Sequence, residues 1–86
     1  MPWKLVISDT AEKQLSKLDR SISKTAKKYL AEVCQLTDPA DRGHPLTGRW
    51  VGFHRYRVGQ LRLIVQIDRN VITLTLVIVD RRDSAY

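Results

Sequence analysis

The chain reads as an α+β domain in the order β-α-α-β-β-β, with two N-terminal helices packed on a small, mainly antiparallel sheet. Two changes along the sequence predict this. After one short strand, apolar residues recur with the helical period of 3.6 as far as Leu36, and from Val51 onward they recur with a period of 2. Between the two regimes lies Thr37-Asp38-Pro39-Ala40-Asp41-Arg42-Gly43-His44-Pro45, a loop by composition. With 86 residues and a hydrophobic fraction of 43%, the chain has room for one core, so residues 1–86 are read as a single domain.

Each element follows from its own pattern. Trp3, Leu5 and Ile7 alternate with Lys4 and Val6, as a short strand does. Asp9 stands three residues before Glu12, the spacing of a capping box, which predicts a helix from about Thr10 to Leu18 with Ala11, Leu15 and Leu18 on one side. Asp19-Arg20-Ser21 breaks the pattern. A second helix is predicted from about Ile22 to Leu36, with Ile22, Ala26, Tyr29, Leu30, Val33 and Cys34 on its apolar stripe and Lys24, Lys27 and Lys28 on the polar side.

Three strands complete the domain, over about Val51 to Val58, Leu61 to Asp68 and Val71 to Val79, joined at Gly59-Gln60 and Asp68-Arg69-Asn70. In the second of them Leu61, Leu63, Val65 and Ile67 face one way, and Arg62, Ile64 and Gln66 the other. The third is β-branched and Leu-rich throughout, which predicts a central strand covered on much of both faces. The helices are expected to cover one sheet face. The opposite face then carries arginine side chains and is the place for a ligand.

The formal net charge of +6 and a pI of about 9.9 favour an anionic partner: a nucleic acid, an acidic membrane surface or an acidic protein. A solvated face is the usual role of Lys24, Lys27 and Lys28, and an RNA contact is the alternative. No signal peptide or membrane-spanning stretch is visible, and the lone cysteine on an apolar helix stripe fits a small buried hydrophobe in a reducing cytoplasm. Two histidines and one cysteine are too few soft ligands for a structural zinc site, so neither metal nor cofactor is expected.

Every cationic Lys or Arg position after Gly48 is an arginine. Arginine holds its charge at any cellular pH and offers a planar fork of donors that matches phosphate oxygens. Arginines at strand positions beside a tyrosine therefore suggest a site for an RNA backbone. Singly, Arg57 or Arg62 can instead pair across strands with Asp68, Asp80 or Asp83, at about 0.2–1 kcal/mol each on an exposed surface. The acidic residues after Gly48 are too few to neutralise the whole set. His54 alternates with Arg55 and Arg57 and is expected on the other sheet face, in a packing or rim role. His44, in a loop beside Pro45, is expected to be structural or solvent-exposed, and Trp3 and Trp50 to be core or rim anchors.

The element order, the stretches Gly43-His44-Pro45-Leu46-Thr47-Gly48, His54-Arg55-Tyr56-Arg57-Val58-Gly59 and Leu61-Arg62-Leu63-Ile64, and an arginine-containing tail ending in tyrosine resemble the RelE/ParE toxin superfamily, and more closely its RelE branch. The resemblance spans essentially the whole chain. It implies the toxin of a type II toxin–antitoxin pair, cytoplasmic, with a cognate RelB-like antitoxin as partner. It implies metal-independent endonucleolytic cleavage of messenger RNA, in the RelE branch often on the ribosome. The superfamily's catalytic positions fall at Arg55, Arg57, Arg62, Arg82 (or Arg81) and Tyr86, with Arg49 and Arg81 as further candidate RNA contacts. The alternatives are a ParE-like inhibitor of DNA gyrase and a module that has lost activity but still binds its antitoxin.

Overall fold

The computed structural model describes residues 3–81, and the predicted tail positions Arg82 and Tyr86 lie outside them. The first strand, β1 (Lys4–Ile7), leads into α1 (Asp9–Ser16). The cap of α1 is Ser8 and not Asp9: Ser8 is extended, and its hydroxyl accepts a hydrogen bond from the Ala11 amide at 3.1 Å. Asp9 and Glu12 instead place carboxylates in the first turn, where they oppose the helix dipole. The helix stops at Ser16, short of Leu18. The second helix, α2 (Arg20–Val33), starts earlier and ends earlier than its apolar stripe suggests. Its end is fixed from outside, because the Cys34 carbonyl accepts the Trp3 amide at 2.7 Å and ties the helix exit to the entry of β1.

A turn of 3-10 helix (Pro39–Asp41) and the two-residue strand β2 (His44–Pro45) lie in the segment read as a loop, and a second 3-10 turn (Gly48–Trp50) follows it. Then come β3 (Phe53–Val58), β4 (Leu61–Asp68) and β5 (Thr73–Arg81). β3 and β5 each begin two residues later than their apolar runs, after backbone turns at Gly52 and Ile72, both with positive φ. The five strands form one sheet in the order β1-β5-β4-β3-β2. β1 runs parallel to β5, and all other neighbours are antiparallel. β5 is thus an interior strand, as its continuous apolar run requires.

Both helices cover one face. Ala11 and Leu15 of α1 and Ala26, Leu30 and Val33 of α2 pack on Tyr56 of β3, on Leu61, Leu63 and Val65 of β4, and on Leu74, Leu76 and Val79 of β5. Cys34 joins this core at 3% exposure, and burial pushes its thiol up, away from the reactive thiolate. Ile22, expected on the core stripe, is exposed at the N-terminal end of α2. Trp3 packs against the core edge.

A bulge sets the polarity of β5. Ile64 lies opposite Ile78, but Val65 lies opposite Leu76, so Val77 is an extra residue. Side chains bury at even positions before it (Leu74, Leu76) and at an odd one after it (Val79). α1 satisfies the displaced backbone: the Ser8 hydroxyl donates to the Val77 carbonyl at 2.8 Å, and the Val79 amide donates to the Gln14 side-chain oxygen at 2.7 Å. Truncating Gln14 to Ala strands that buried amide and is expected to cost about 1–3 kcal/mol, read as a lower urea midpoint with an unchanged m-value.

Tyr56 is fully buried, donates its hydroxyl to the Pro39 carbonyl at 2.7 Å and meets the Tyr29 ring edge-on at 5.7 Å. Burial, first, and then the neighbouring Tyr29 push its phenol well above the usual range. An acid raised in the folded state stays protonated while the unfolded chain releases its proton, so folding loses stability as pH rises past roughly 10. Tyr56→Phe should remove that alkaline slope, at a cost of about 1 kcal/mol at neutral pH, in denaturation curves measured across pH 8 to 11.

Candidate nucleic-acid interface

The face of the sheet away from the helices is built by alternation. On β3 the side chains of His54 and Tyr56 point to the core, so Phe53, Arg55 and Arg57 point outward. On β4 Leu61, Leu63 and Val65 are buried, leaving Arg62, Ile64 and Gln66 on the outer face. The turn at Gly59-Gln60 joins Val58 directly to its partner Leu61, and this register puts Arg57 opposite Arg62 and Arg55 opposite Ile64. Arg62 in turn lies opposite Asp80 on β5.

Two like charges directly opposite each other in a ladder are unfavourable. They persist here with no ion pair to neutralise them among the described residues. Among the described residues, ion pairs join Lys27 to Glu12 at 3.5 Å and Arg69 to Asp38 at 3.1 Å, and none joins Arg55, Arg57 or Arg62 to a carboxylate. Asp80 shares the register of Arg62 without pairing to it. The Arg62 Nε is buried and has no hydrogen-bond partner among the described residues. A cationic donor held out of water with nothing to donate to is costly.

The remaining predicted residues are distributed around the molecule. Arg49 is exposed in the 3-10 turn after β2. Lys24, Lys27 and Lys28 are exposed on α2, and α2 covers the other sheet face, so the fold does not bring them to the arginines. Arg81 lies opposite Leu61 on the helix-facing side, beyond the bulge, and lines a cleft of about 340 Å³ with Ser21, Ile22, Thr25 and Val58. It therefore does not share the face of Arg57 and Arg62. Arg69 is committed to Asp38, whose carboxyl is held below the usual range first by the Ala40 amide and then by Arg69. Trp50 sits at the rim, edge-on to Phe53 at 5.2 Å between ring centres.

The two histidines part company. His54 is buried at 6% exposure, with its Nε2 hydrogen-bonded to the Arg42 carbonyl and its ring 5.3 Å from that of Tyr56. It is part of the core side, as its alternation with the arginines predicts. His44 is not in an irregular loop but on β2, opposite Arg55, exposed, and hence on the outer face. The signal for this was local. Gly43 has φ of 75°, and a Cβ there would collide with the Arg55 carbonyl and the Tyr56 ring. Pro45, which lacks an amide, suits an edge strand. Gly43→Ala is expected to destabilise the fold by about 1–3 kcal/mol, and loss of the His44–Arg55 pairing would appear as faster amide exchange at Arg55 and Leu46.

A family model for the ParE toxin of the type II toxin–antitoxin system parDE matches residues 5–86. This chain belongs to the ParE toxin family. The toxin–antitoxin complex RelBE2 from Mycobacterium tuberculosis contains a chain of the same fold, with 26% identity, a TM-score of 0.86, and 95% of this chain and 93% of that one covered. A mutant RelE toxin of E. coli in the free state superposes with a TM-score of 0.80 at 21% identity, over 99% of this chain and 88% of that one. The archaeal RelE–RelB complex from Pyrococcus horikoshii gives 0.78 at 17% identity, over 95% and 97%. No curated protein matches the chain. The protein is a type II toxin of the RelE/ParE superfamily: its family model is that of ParE, and these structural neighbours are RelE toxins. No helix among the described residues is long and apolar enough to cross a membrane.

Proposed function

We propose that this toxin is an endonuclease of messenger RNA, that the ribosome presents its substrate, and that Arg55, Arg57 and Arg62 form its phosphate-binding surface. The Arg57–Arg62 pair and the Arg62 Nε, neither of them partnered among the described residues, carry the reading. Cleavage proceeds by attack of a ribose 2′-hydroxyl on the adjacent phosphorus, with departure of the 5′ oxygen. The 2′ proton passes to a base, the 5′ oxygen gains a proton, and the products are a 2′,3′-cyclic phosphate and a 5′-hydroxyl end. Negative charge grows on the non-bridging oxygens, where pre-aimed guanidinium groups are worth most. Arg82 and Tyr86, outside the described residues, complete the set that the superfamily resemblance implies. The reaction as written asks for no metal.

An isolated strand face with three arginines orients RNA poorly, and a ribosome holding the message in place removes much of that entropic barrier, about 7–11 kcal/mol in favourable cases. A RelB-like antitoxin in the same cell compartment, the cytoplasm, is the expected partner, since complexes with RelB are known for the M. tuberculosis and P. horikoshii proteins.

The second reading is inhibition of DNA gyrase, favoured by the match to the ParE family model. Inducing the toxin in a bacterial host and mapping RNA 5′ ends separates the two. The nuclease yields new ends inside translated codons. Gyrase inhibition yields intact messages, stalled replication and an activated DNA-damage response. Arg62→Leu is expected to lower cleavage about a hundredfold, equivalent to roughly 3 kcal/mol. Its unfolding midpoint should equal or exceed that of the parent, because it removes a buried unpaired donor and a cross-strand repulsion.

A further inference from the structure

Resting on the nuclease reading, we propose that the Trp50 indole, backed by the Phe53 ring, is the platform on which a nucleobase beside the cut stacks, and that it sets which sequences the toxin cuts. The two tryptophans have different commitments. Trp3 packs against the core and donates its Nε1–H to the Thr37 carbonyl at 3.3 Å. Trp50 is 36% exposed and lies outside the core, and its Nε1–H has no hydrogen-bond partner among the described residues. Its ring contact is with Phe53, nearly perpendicular at 5.2 Å between centres, which leaves indole surface open to water.

The turn that carries Trp50 places it beside the arginines. The Trp50 amide donates to the Thr47 carbonyl at 3.3 Å and the Val51 amide to the Gly48 carbonyl at 3.2 Å, so the chain doubles back before β3. Gly48 and Gly52 bracket this turn with φ of 66° and 93°, and a Cβ at either would meet nothing within 4 Å. Glycine is needed there for the backbone path and not for close packing. The path brings the indole onto Phe53, the first residue of β3.

Phe53, Arg55 and Arg57 then follow one another along the outer face at intervals of roughly 6.6 Å. Arg49 is exposed next to Trp50 in the same turn. The aromatic pair therefore has a cation on either side, Arg49 in the turn and Arg55 on the strand. Between it and the Arg57–Arg62 pair the face is floored by Ile64, opposite Arg55, and Ile78, opposite Ile64.

This alternation of ring and charge selects the occupant. An unpaired nucleobase brings a flat π-face, with a phosphate on each side for the arginines, and a single-stranded message exposes such bases where a duplex hides them. A phosphate held by Arg57 and Arg62 lets the chain run along β3 over Arg55 and lay a neighbouring base on Trp50. Stacking accepts every base and favours the larger purine ring, so the platform biases cleavage without a hydrogen-bond code.

The test uses the full-length toxin in excess over programmed ribosomes that carry a defined message, under single-turnover conditions. The message is made intact or with one abasic residue, placed in turn at each of the two nucleotides on either side of the cut. For the parent, one abasic message should need about tenfold more toxin for half-saturation, with the plateau rate within a few-fold. Trp50→Ala should need about tenfold more toxin for the intact message and should no longer distinguish it from that abasic one. Trp50→Phe should recover most of the difference. Trp50→Leu, which keeps apolar bulk but has no π-face, should behave as Trp50→Ala and guards against a loss of folding. A merely structural tryptophan would weaken intact and abasic messages alike and keep the discrimination. That result, or a parent indifferent to every abasic position, overturns the platform and leaves the nuclease standing. A parent that cuts no message overturns the nuclease reading, and the platform with it.

Discussion

The register of one hairpin governs the rest of this molecule. Gly59 adopts φ of 59°, as the first central residue of a type II′ turn requires, and a two-residue loop leaves no freedom in how β3 meets β4. Val58 pairs with Leu61, and from there every pair is set: Arg57 with Arg62, Tyr56 with Leu63, Arg55 with Ile64, His54 with Val65. A slip of one residue would turn the arginines into the helix-covered core and the Leu and Tyr side chains into water. The hydrophobic effect on one face thus enforces a charge arrangement on the other that the charges themselves would avoid.

The same division explains why the basic residues do not form a single surface. The lysines of α2 ride on the outside of the helical layer, and Arg81 falls beside Leu61 because the bulge at Val77 changes the side to which later β5 residues point. α1 stabilises that bulge with Ser8 and Gln14, two polar side chains whose hydrogen bonds replace those the strand ladder gives up. Net charge describes attraction to an anion at long range, whereas the sheet alone decides which cations can touch the same phosphate.

Superfamily membership and activity rest on different observations. The ParE family model and the fold shared with RelE toxins establish a type II toxin, and the fold is common to proteins only 26% and 21% identical to this chain. On the proposed reading, what the toxin attacks is decided by side chains on one sheet face. There the arginines with no ion pair among the described residues, the engaged His54 and the exposed His44 are more informative than the backbone they share with their neighbours.

Periodicity alone was enough to read two helices, three antiparallel strands, the interior position of β5 and the opposite orientations of His54 and its arginine neighbours, because alternation and the 3.6 repeat record burial directly. The Arg55, Arg57 and Arg62 face followed from the same alternation. Only the tertiary structure disclosed β2, since a two-residue strand has no period, and its pairing rests on the close approach of Gly43 to β3. The side to which Arg81 points was equally hidden, because a bulge is a mismatch between two strands and belongs to neither sequence alone. Ser8 displaced Asp9 as the cap for a related reason: its hydroxyl also binds the Val77 carbonyl, a partner 69 positions along the chain that no local pattern can anticipate.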